Sequence, residues 1–239
     1  MITGILVALP EELHTLTKSR IKQGECIAVS ANTLITLSGA GSKNAASAAQ
    51  NLIILGANQL ISWGCAGALS PQLKAGDLVV PADILTRDNI QLTTHKQWSR
   101  KVIDLLDKTI KHTQATLLES DTVIGQACDK NRLYLTTQAI AVDMESAAVA
   151  QLAQQAQLPF IAIRSIVDPA QLDLPGAIDY AMTDSGVISI RKLLRYLCSH
   201  PGDLPRLITL GMHFNAAKKT LKYLAGQLPQ ITRTQWSLA

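Results

Sequence analysis

The sequence predicts an α/β protein in which a central sheet lies between helices. Two observations predict this class. Apolar runs of strand length alternate with helical patterns along most of the 239 residues, and strands separated by helices are typical of such sheets. Hydrophobic residues make up 47% of the chain and aromatic residues only 4%. Leu, Ile, Val and Ala therefore supply the apolar mass, as buried strands under helices require.

Runs of aliphatic residues predict the strands, and apolar residues at helical spacing predict the helices. The predicted strands are 2–8, 25–30, 33–38, 59–65, 77–84, 115–119, 139–143 and 159–167. The predicted helices are 10–20, 42–55, 97–111, 127–136, 144–157, 187–198 and 203–226, the last two separated by His200-Pro201-Gly202. Residues 168–186 contain two prolines and show little periodicity, which predicts a long loop at the carboxyl edge of the sheet, where such folds bind ligands.

Composition excludes several classes of protein. Charged residues account for only 17% of the chain, which excludes intrinsic disorder, and a net charge of +4 is too small to indicate nucleic-acid binding. The four cysteines form no C-x-x-C pair and the histidines show no ligand spacing, so we expect reduced thiols, no metal and a cytoplasmic protein. The apolar start lacks the basic residues of a signal peptide and is too short to span a bilayer.

Two glycine-containing segments follow predicted strands. In Ser38-Gly39-Ala40-Gly41-Ser42, the backbone N–H groups at a helix start are suited to an anion, although the glycines serve a tight turn equally well. Asn44 replaces the third Gly of a dinucleotide fingerprint, which argues against a dinucleotide-dependent oxidoreductase. In Gly64-Cys65-Ala66-Gly67, the small residues permit close approach of a flat ligand or serve only packing. Cys65 has no base beside it, and we interpret it as a small buried residue.

Carboxylates follow two further predicted strands. Strand 139–143 runs directly into Asp143-Met144-Glu145-Ser146, and strand 159–167 ends at Asp168. Two different strands thus deliver Glu145 and Asp168 to the same sheet edge, where one carboxylate can act as an acid and the other as an electrostatic stabiliser. Asp143 and Ser146 also suit helix capping. Glu11 and Glu12 follow the first strand, where acids in a first helical turn favour the helix dipole.

These segments, in this order and spacing, resemble the nucleoside phosphorylases and the related adenosylhomocysteine/methylthioadenosine nucleosidases over residues 1–195. The resemblance rests on Gly4-Ile5-Leu6-Val7-Ala8-Leu9-Pro10-Glu11-Glu12, Ser38-Gly39-Ala40-Gly41, Gly64-Cys65-Ala66-Gly67 with Gly76-Asp77, Asp143-Met144-Glu145-Ser146-Ala147-Ala148 and Arg164-Ser165-Ile166-Val167-Asp168. It implies a single-domain three-layer α/β/α sandwich with a mixed central sheet over 1–199. An extra C-terminal helix pair, with residues 200–239 forming a helical extension, would pack on it.

The resemblance also implies an activity, the cleavage of the N-glycosidic bond of a 5'-modified adenosine with release of adenine. Asp168 matches the residue that protonates purine N7, and Glu12 matches the carboxylate that activates water. Glu145 and Met144 match the ribose contacts. The remaining candidate substrate contacts are Val123 and Ile124, which match the base-binding segment, and Cys65, Ala66, Gly67 and Arg164.

The acceptor stays open between water and phosphate. Glu12 favours water, and the arginines that hold phosphate in the bacterial purine phosphorylases have no counterpart before Gly64. The turn formed by Gly39, Ala40, Gly41 and Ser42 is nevertheless a candidate phosphate or water site, because backbone donors at a helix start need no arginine. Inorganic phosphate is therefore a candidate co-substrate, and no other cofactor is expected.

The Asp168-Pro169-Ala170-x-x-x-Leu174-Pro175 loop and the helices after His200 are most similar to the hopanoid-associated phosphorylases, which act on adenosylhopane. One alternative is a methylthioadenosine/adenosylhomocysteine nucleosidase. Another is a nucleoside-binding protein without turnover, because Cys65 and Val167 replace the serines usual in nucleosidases. The family implies a homodimer. The basic C-terminal helices are interpreted either as a packed lid or as a peripheral contact with an anionic membrane.

Overall fold

The structure is a computed structural model that describes residues 1–106, 110–176, 180, 195–196 and 199–233. The predicted helix 187–198 lies almost entirely outside these residues, as does the last part of the predicted loop 168–186. The homodimer, the membrane contact and the division of the chain after residue 199 stay predictions. Within the described residues, no helix is both long enough and apolar enough to span a bilayer.

Strands and helices alternate along the chain as the sequence predicts. The strands are β1 (Thr3–Val7), β2 (Cys26–Ser30), β3 (Thr33–Leu37), β4 (Gln59–Ala68), β5 (Leu78–Val79), β6 (Asp83–Leu85), β7 (Gln91–Thr93), β8 (His112–Thr113), β9 (Thr116–Glu119), β10 (Ala141–Asp143) and β11 (Phe160–Asp168). The helices are α1 (Pro10–Leu16), α2 (Ser42–Ile54), α3 (Lys96–Asp104), α4 (Ala127–Thr137), α5 (Ser146–Gln155), α6 (Leu204–Ala225) and α7 (Leu228–Thr232), with a 3₁₀ turn at Pro201–Asp203.

Several predicted boundaries are wrong, and one of them is the end of helix 97–111, which the structure places at Asp104. The single strand 77–84 is two strands, β5 and β6, with Pro81 between them, and a proline cannot donate a ladder hydrogen bond. Strand 59–65 continues to Ala68, so Cys65-Ala66-Gly67 lies inside β4 rather than beyond its end. Helix 10–20 ends at Leu16, where Thr17 adopts an extended backbone.

The sheet is mixed and centres on β4. One path through it runs β2-β3-β1-β4-β10-β9-β6-β7, while β11 pairs with both β4 and β5. β4 runs parallel to β1 and β11 but antiparallel to β10, which pairs only with its last residues, Gly67 and Ala68. The carboxyl ends of β1, β4 and β11 therefore meet next to β10.

Helices cover both faces of this sheet, which confirms the predicted α/β/α sandwich. On one face, alanines of α2 and α5 pack against Leu6, Leu60 and Ala162. On the other face, α1, α3, α6 and α7 cover Ile5, Ile61 and Ile163. The alternation of Ile5 and Leu6 between the two cores follows from the two-residue period of a strand.

The C-terminal helices are part of the second core. Leu221 and Leu224 of α6 are fully buried in it. Thr220 donates a hydrogen bond to the Gly76 carbonyl at 2.7 Å, and the Trp98 indole donates to the Ile231 carbonyl at 3.0 Å. The segment after Pro201 therefore closes one face of the sheet.

We expect Leu221→Ala to lower the free energy of unfolding by about 2–5 kcal/mol, because it leaves a cavity at a fully buried position. Urea denaturation followed by circular dichroism measures the change. Lys219→Ala, at an exposed position on the same helix, is the control and should change the value by less than about 0.5 kcal/mol. An equally small effect at Leu221 would contradict the placement of α6 in the core.

Candidate active site

A cavity of about 610 Å³ opens where β1, β4, β10 and β11 end. Its polar wall carries the carboxylates of Glu12, Glu145 and Asp168, which are each less than 10% exposed. The other lining residues are Ala8, Leu9, Pro10, Glu11, Ala40, Cys65, Ala66, Gly67, Thr122, Val123, Ile124, Val142, Asp143, Met144, Val167, Leu174, Leu207, Leu210, Gly211, Phe214 and Lys218. The cavity thus joins a carboxylate-rich wall to an extensive apolar wall.

Glu12 is held in the cavity by backbone donors. It lies in the first turn of α1, where Pro10 begins the helix, and its Oε2 accepts from the N–H groups of Ala8 and Leu9, each at 3.0 Å. Its Oε1 accepts from the Cys65 N–H at 2.8 Å. Burial raises the pKa of Glu12, while the Arg164 charge and these three bonds oppose the rise. Glu12 is therefore oriented rigidly and is able to hold a proton closer to neutral pH than an exposed glutamate.

Gly64 makes room for this carboxylate. A Cβ atom on Gly64 would lie 2.5 Å from Glu12 Oε1. Gly67, three residues further along β4, makes room for Asp168 in the same way, because a Cβ atom on Gly67 would lie 3.1 Å from Asp168 Oδ1. The sequence offered two explanations for the small residues of this strand, close approach of a ligand or packing alone. The structure shows that Gly64 and Gly67 lie directly against two carboxylates of the site.

Glu145 follows β10, and its side chain binds the glycine turn after β3. Its Oε1 accepts a hydrogen bond from the Gly41 N–H at 2.8 Å, and Gly41 has a φ of 94°, which favours glycine. Burial and the charge of Asp143 raise the pKa of Glu145 to about 7, opposed by Arg164 and by the Gly41 N–H. Of the candidate phosphate or water turn, Ala40 lines the cavity, whereas Gly39, Gly41 and Ser42 do not.

Arg164 lies behind the cavity wall rather than in it. Its Nε donates to Asp143 Oδ2 at 2.7 Å and its Nη2 donates to Ser62 Oγ at 2.6 Å. Asp143 also accepts from the hydroxyl of Ser146 at the start of α5. The guanidinium is 2% exposed, so it acts on the site through its charge and through Asp143, without lining the cavity.

Asp168 ends β11 and lines the cavity. The pairing of β11 with β4 shifts register between Ile166 and Asp168, which turns the carboxyl group towards Gly67. Its Oδ2 lies 2.7 Å from the Nζ of Lys130, a fully buried lysine of α4. Burial raises the pKa of Asp168, and Lys130 opposes that rise.

The remaining predicted contacts do meet at this cavity. Val123, Ile124, Met144, Cys65, Ala66 and Gly67 all line it. Burial, together with the charge of Glu12, raises the pKa of the Cys65 thiol well above its ordinary value. Cys65 therefore stays a neutral thiol, which argues against a role as nucleophile.

Sequence reasoning missed two parts of the site. It did not single out Lys130, whose place in α4 carries no motif. It also did not place Leu207, Leu210 and Phe214 of α6 at the cavity, although the apolar periodicity of that helix is visible in the sequence. A buried acid and a buried base separated across one cavity can protonate a leaving group and activate a water molecule.

Comparisons with known proteins agree with this geometry. The family model described as the phosphorylase superfamily matches residues 3–193. A 5'-methylthioadenosine/S-adenosylhomocysteine nucleosidase of Staphylococcus aureus is 27% identical over 197 residues, which cover 70% of this chain and 86% of that protein.

Solved structures show the same fold at lower identity. A 5'-methylthioadenosine/S-adenosylhomocysteine nucleosidase of Colwellia psychrerythraea in complex with adenine superimposes with a TM-score of 0.72 at 21% identity, covering 99% of this chain and 98% of that one. The futalosine hydrolase of Helicobacter pylori superimposes with a TM-score of 0.68 at 19% identity, covering 96% of each chain.

The raised pKa of Glu145 makes stability depend on pH. At low pH the group is protonated in both states, whereas between about 4.5 and about 7 unfolding releases its proton, so the stability it contributes is lost as the pH rises. We expect Glu145→Gln, which keeps an oxygen for Gly41, to be more stable than the native protein by ~3 kcal/mol above pH 7 and equal to it below pH 4.5. Urea titrations across this range, with the exposed Glu11→Gln as control, measure the difference. A difference independent of pH would contradict it.

Proposed function

The chain belongs to the phosphorylase superfamily, and we propose that it cleaves the N-glycosidic bond of a 5'-modified adenosine with water as the acceptor, releasing adenine. One observation carries the proposal, the placement of Glu12 and Asp168 at separate points along β4. Glu12 binds the Cys65 N–H, and Asp168 lies against Gly67, two residues further along β4. The two carboxyl groups therefore reach the cavity from separate points of one strand, so that one is able to serve the base and the other the acceptor.

The reaction divides between these two carboxyl groups. Asp168 gives its proton to purine N7 while the electron pair of the C1'–N9 bond moves onto the base. A water oxygen then bonds to the electron-poor C1', and Glu12 takes the proton that the water loses. Burial raises the pKa of Asp168 and Lys130 opposes that rise, so this carboxyl group binds a proton more readily than an exposed aspartate and is still able to give it to N7. The products are adenine and the free 5'-modified ribose.

Glu145 and Met144 accommodate the ribose in this scheme. Glu145 Oε1 is held by the Gly41 N–H, which leaves its other oxygen for the sugar hydroxyls. A carboxylate beside the ribose also stabilises the positive charge that develops on the ring. Met144 lines the same wall, and Val123 and Ile124 offer the base an apolar shelf.

Water is favoured over phosphate by the groups at the acceptor side. The Gly41 N–H already binds Glu145, and the Arg164 guanidinium is buried against Asp143. A phosphate dianion placed beside Glu12 and Glu145 would also meet like charges. Phosphate dependence is therefore the alternative that the assay below tests.

The apolar wall supports a large apolar 5'-substituent. Leu207, Leu210 and Phe214 of α6 line the cavity together with Leu174, and a methyl or short thioether group needs little of that surface. We propose a lipid-tailed adenosine of the adenosylhopane kind as the substrate. The alternative is methylthioadenosine or adenosylhomocysteine, which the name of the S. aureus relative favours.

We expect Asp168→Asn and Glu12→Gln each to lower kcat by at least about a hundredfold, because each removes one proton transfer. Chromatography of released adenine measures this with methylthioadenosine, adenosylhomocysteine and a lipid-tailed adenosine, each with and without phosphate. Asp88→Asn, in an exposed loop, is the control. If adenine release requires phosphate, the acceptor is phosphate and not water. If no nucleoside releases adenine, the chain is a nucleoside-binding protein without turnover.

A separate substitution tests the apolar wall. We expect Leu210→Ser to raise KM for the lipid-tailed substrate about tenfold or more and to change KM for methylthioadenosine less than about threefold. The reason is that a leucine side chain covered by the bound tail contributes about 1.5–3 kcal/mol. Leu204→Ser, which lies on the exposed side of the same helix, serves as the matched control. Equal changes for both substrates at Leu210 would argue against an apolar 5'-group on α6.

A further inference from the structure

Lys130 is a fully buried lysine whose ammonium group is completely satisfied. Charged side chains are almost never fully buried unless they are paired. Its Nζ lies 2.7 Å from Asp168 Oδ2 and donates to the carbonyls of Leu172 at 2.8 Å and Pro169 at 3.3 Å. An ammonium group has three protons to donate, so each has an acceptor. The side chain is therefore fixed against Asp168 by its own hydrogen bonds.

The same region joins α4 to the loop after β11. The Ala127 N–H donates to Asp173 Oδ1 at 2.7 Å, and the Leu174 N–H donates to the Gly125 carbonyl at 2.8 Å. Residues 122–124, which line the cavity and include the base contacts proposed above, come shortly before this helix. The apolar shelf for the base and the carboxyl group that faces the base are thus positioned relative to each other through α4.

Lys130 is also the strongest charge on Asp168. Among the described residues, Lys130 from α4, His213 from α6 and Cys65 from β4 are the titratable groups that act on this carboxyl group. Cys65 is a neutral thiol because burial raises its pKa. His213 lowers the pKa of Asp168 less than Lys130 does, and Lys130 alone of the three makes an ion pair with it.

Resting on the function proposed above, we propose that Lys130 is a positioning residue for Asp168 that gives the cavity its preference for 6-aminopurines over 6-oxopurines. Once Asp168 has given its proton to N7, its carboxylate accepts hydrogen bonds from N7–H and from the 6-amino group. Lys130 stabilises this anionic, acceptor-only form through its ion pair with Oδ2. A 6-oxopurine offers an oxygen acceptor at the same place, which faces the carboxylate without a proton between them.

If the ammonium group of Lys130 is removed, we expect the preference between purine bases to change as well as the rate of turnover. Without it, the largest opposition to the burial that raises the pKa of Asp168 is lost, so the carboxyl group keeps its proton to higher pH. A protonated carboxyl group donates as well as accepts, and it therefore tolerates a 6-oxo group. The alkaline limb of the kcat/KM profile, which reports the loss of that proton, moves to higher pH.

The test compares Lys130→Met with the native protein. Calorimetric titration with adenine and with hypoxanthine at pH 7 measures the preference directly, and we expect it to fall at least tenfold. Turnover of methylthioadenosine should fall about a hundredfold, and its alkaline limb should shift upward. Arg132→Met removes an exposed cation two residues along α4 and should change none of these values.

A purely structural role would give a different result. A loss of stability and rate with the base preference and the alkaline limb unchanged would overturn the proposal. In an Asp168→Asn background, Lys130→Met should change the preference less than about twofold, because the lysine acts through that carboxyl group. A tenfold change in that background would also overturn it. Should the methionine variant not fold, Lys130→Gln, which keeps donors for the two loop carbonyls, gives the same comparison.

Failure of the proposed function is distinguishable from failure of this inference. Base binding is measured without turnover, so a native protein that releases no adenine yet loses its adenine preference on Lys130→Met refutes the activity and supports the inference. If the native protein turns over methylthioadenosine and Lys130→Met leaves its preference for adenine over hypoxanthine unchanged, only the inference about Lys130 is refuted. A native protein that binds neither base refutes both.

Discussion

The burial of four carboxyl groups under one cavity is the constraint on which the rest of this structure depends. Glu12, Asp143, Glu145 and Asp168 are each less than 10% exposed, and two buried cations, Arg164 and Lys130, lie among them. Removing charges from water is costly unless each finds a partner. The partners here are the two cations and backbone N–H groups at helix and strand ends. Burial nevertheless raises the pKa values of Glu12, Glu145 and Asp168, and at Glu145 the neighbouring Asp143 charge adds to the rise.

The sheet topology supplies these partners. β4 lies between β1 and β11 and also reaches β10, so side chains that follow three of these strands meet over one stretch of β4. That stretch carries Gly64 and Gly67, because larger side chains would occupy the volume of Glu12 and Asp168. The glycine turn after β3 approaches from the other side and binds Glu145 through its backbone. The glycines and the strand order therefore both allow the buried carboxylates to reach hydrogen-bonding partners.

Much of this arrangement could be predicted from the sequence, and the exceptions have physical causes. Carboxylates placed directly after apolar strands predict a common site at the strand ends. Glu12 and Asp168 follow strands parallel to β4, whereas Glu145 joins them because the antiparallel β10 pairs only with the last residues of β4. Lys130 was not predictable in this way, since a lysine within a helical pattern is ordinarily solvated. Arg164 lies in a predicted strand, yet only the structure shows that its guanidinium points behind the cavity to Asp143. The contribution of α6 depends on a tertiary contact that periodicity does not specify.

Helix α6 performs two tasks on separate stretches of its length. Its second half inserts Ala217, Leu221 and Leu224 into the core, while its first half presents Leu207, Leu210 and Phe214 to the cavity. The residues of the first half are therefore able to change with the group that the cavity accommodates, while the second half maintains the fold. Relatives with different 5'-groups are expected to diverge most in the first three turns of this helix.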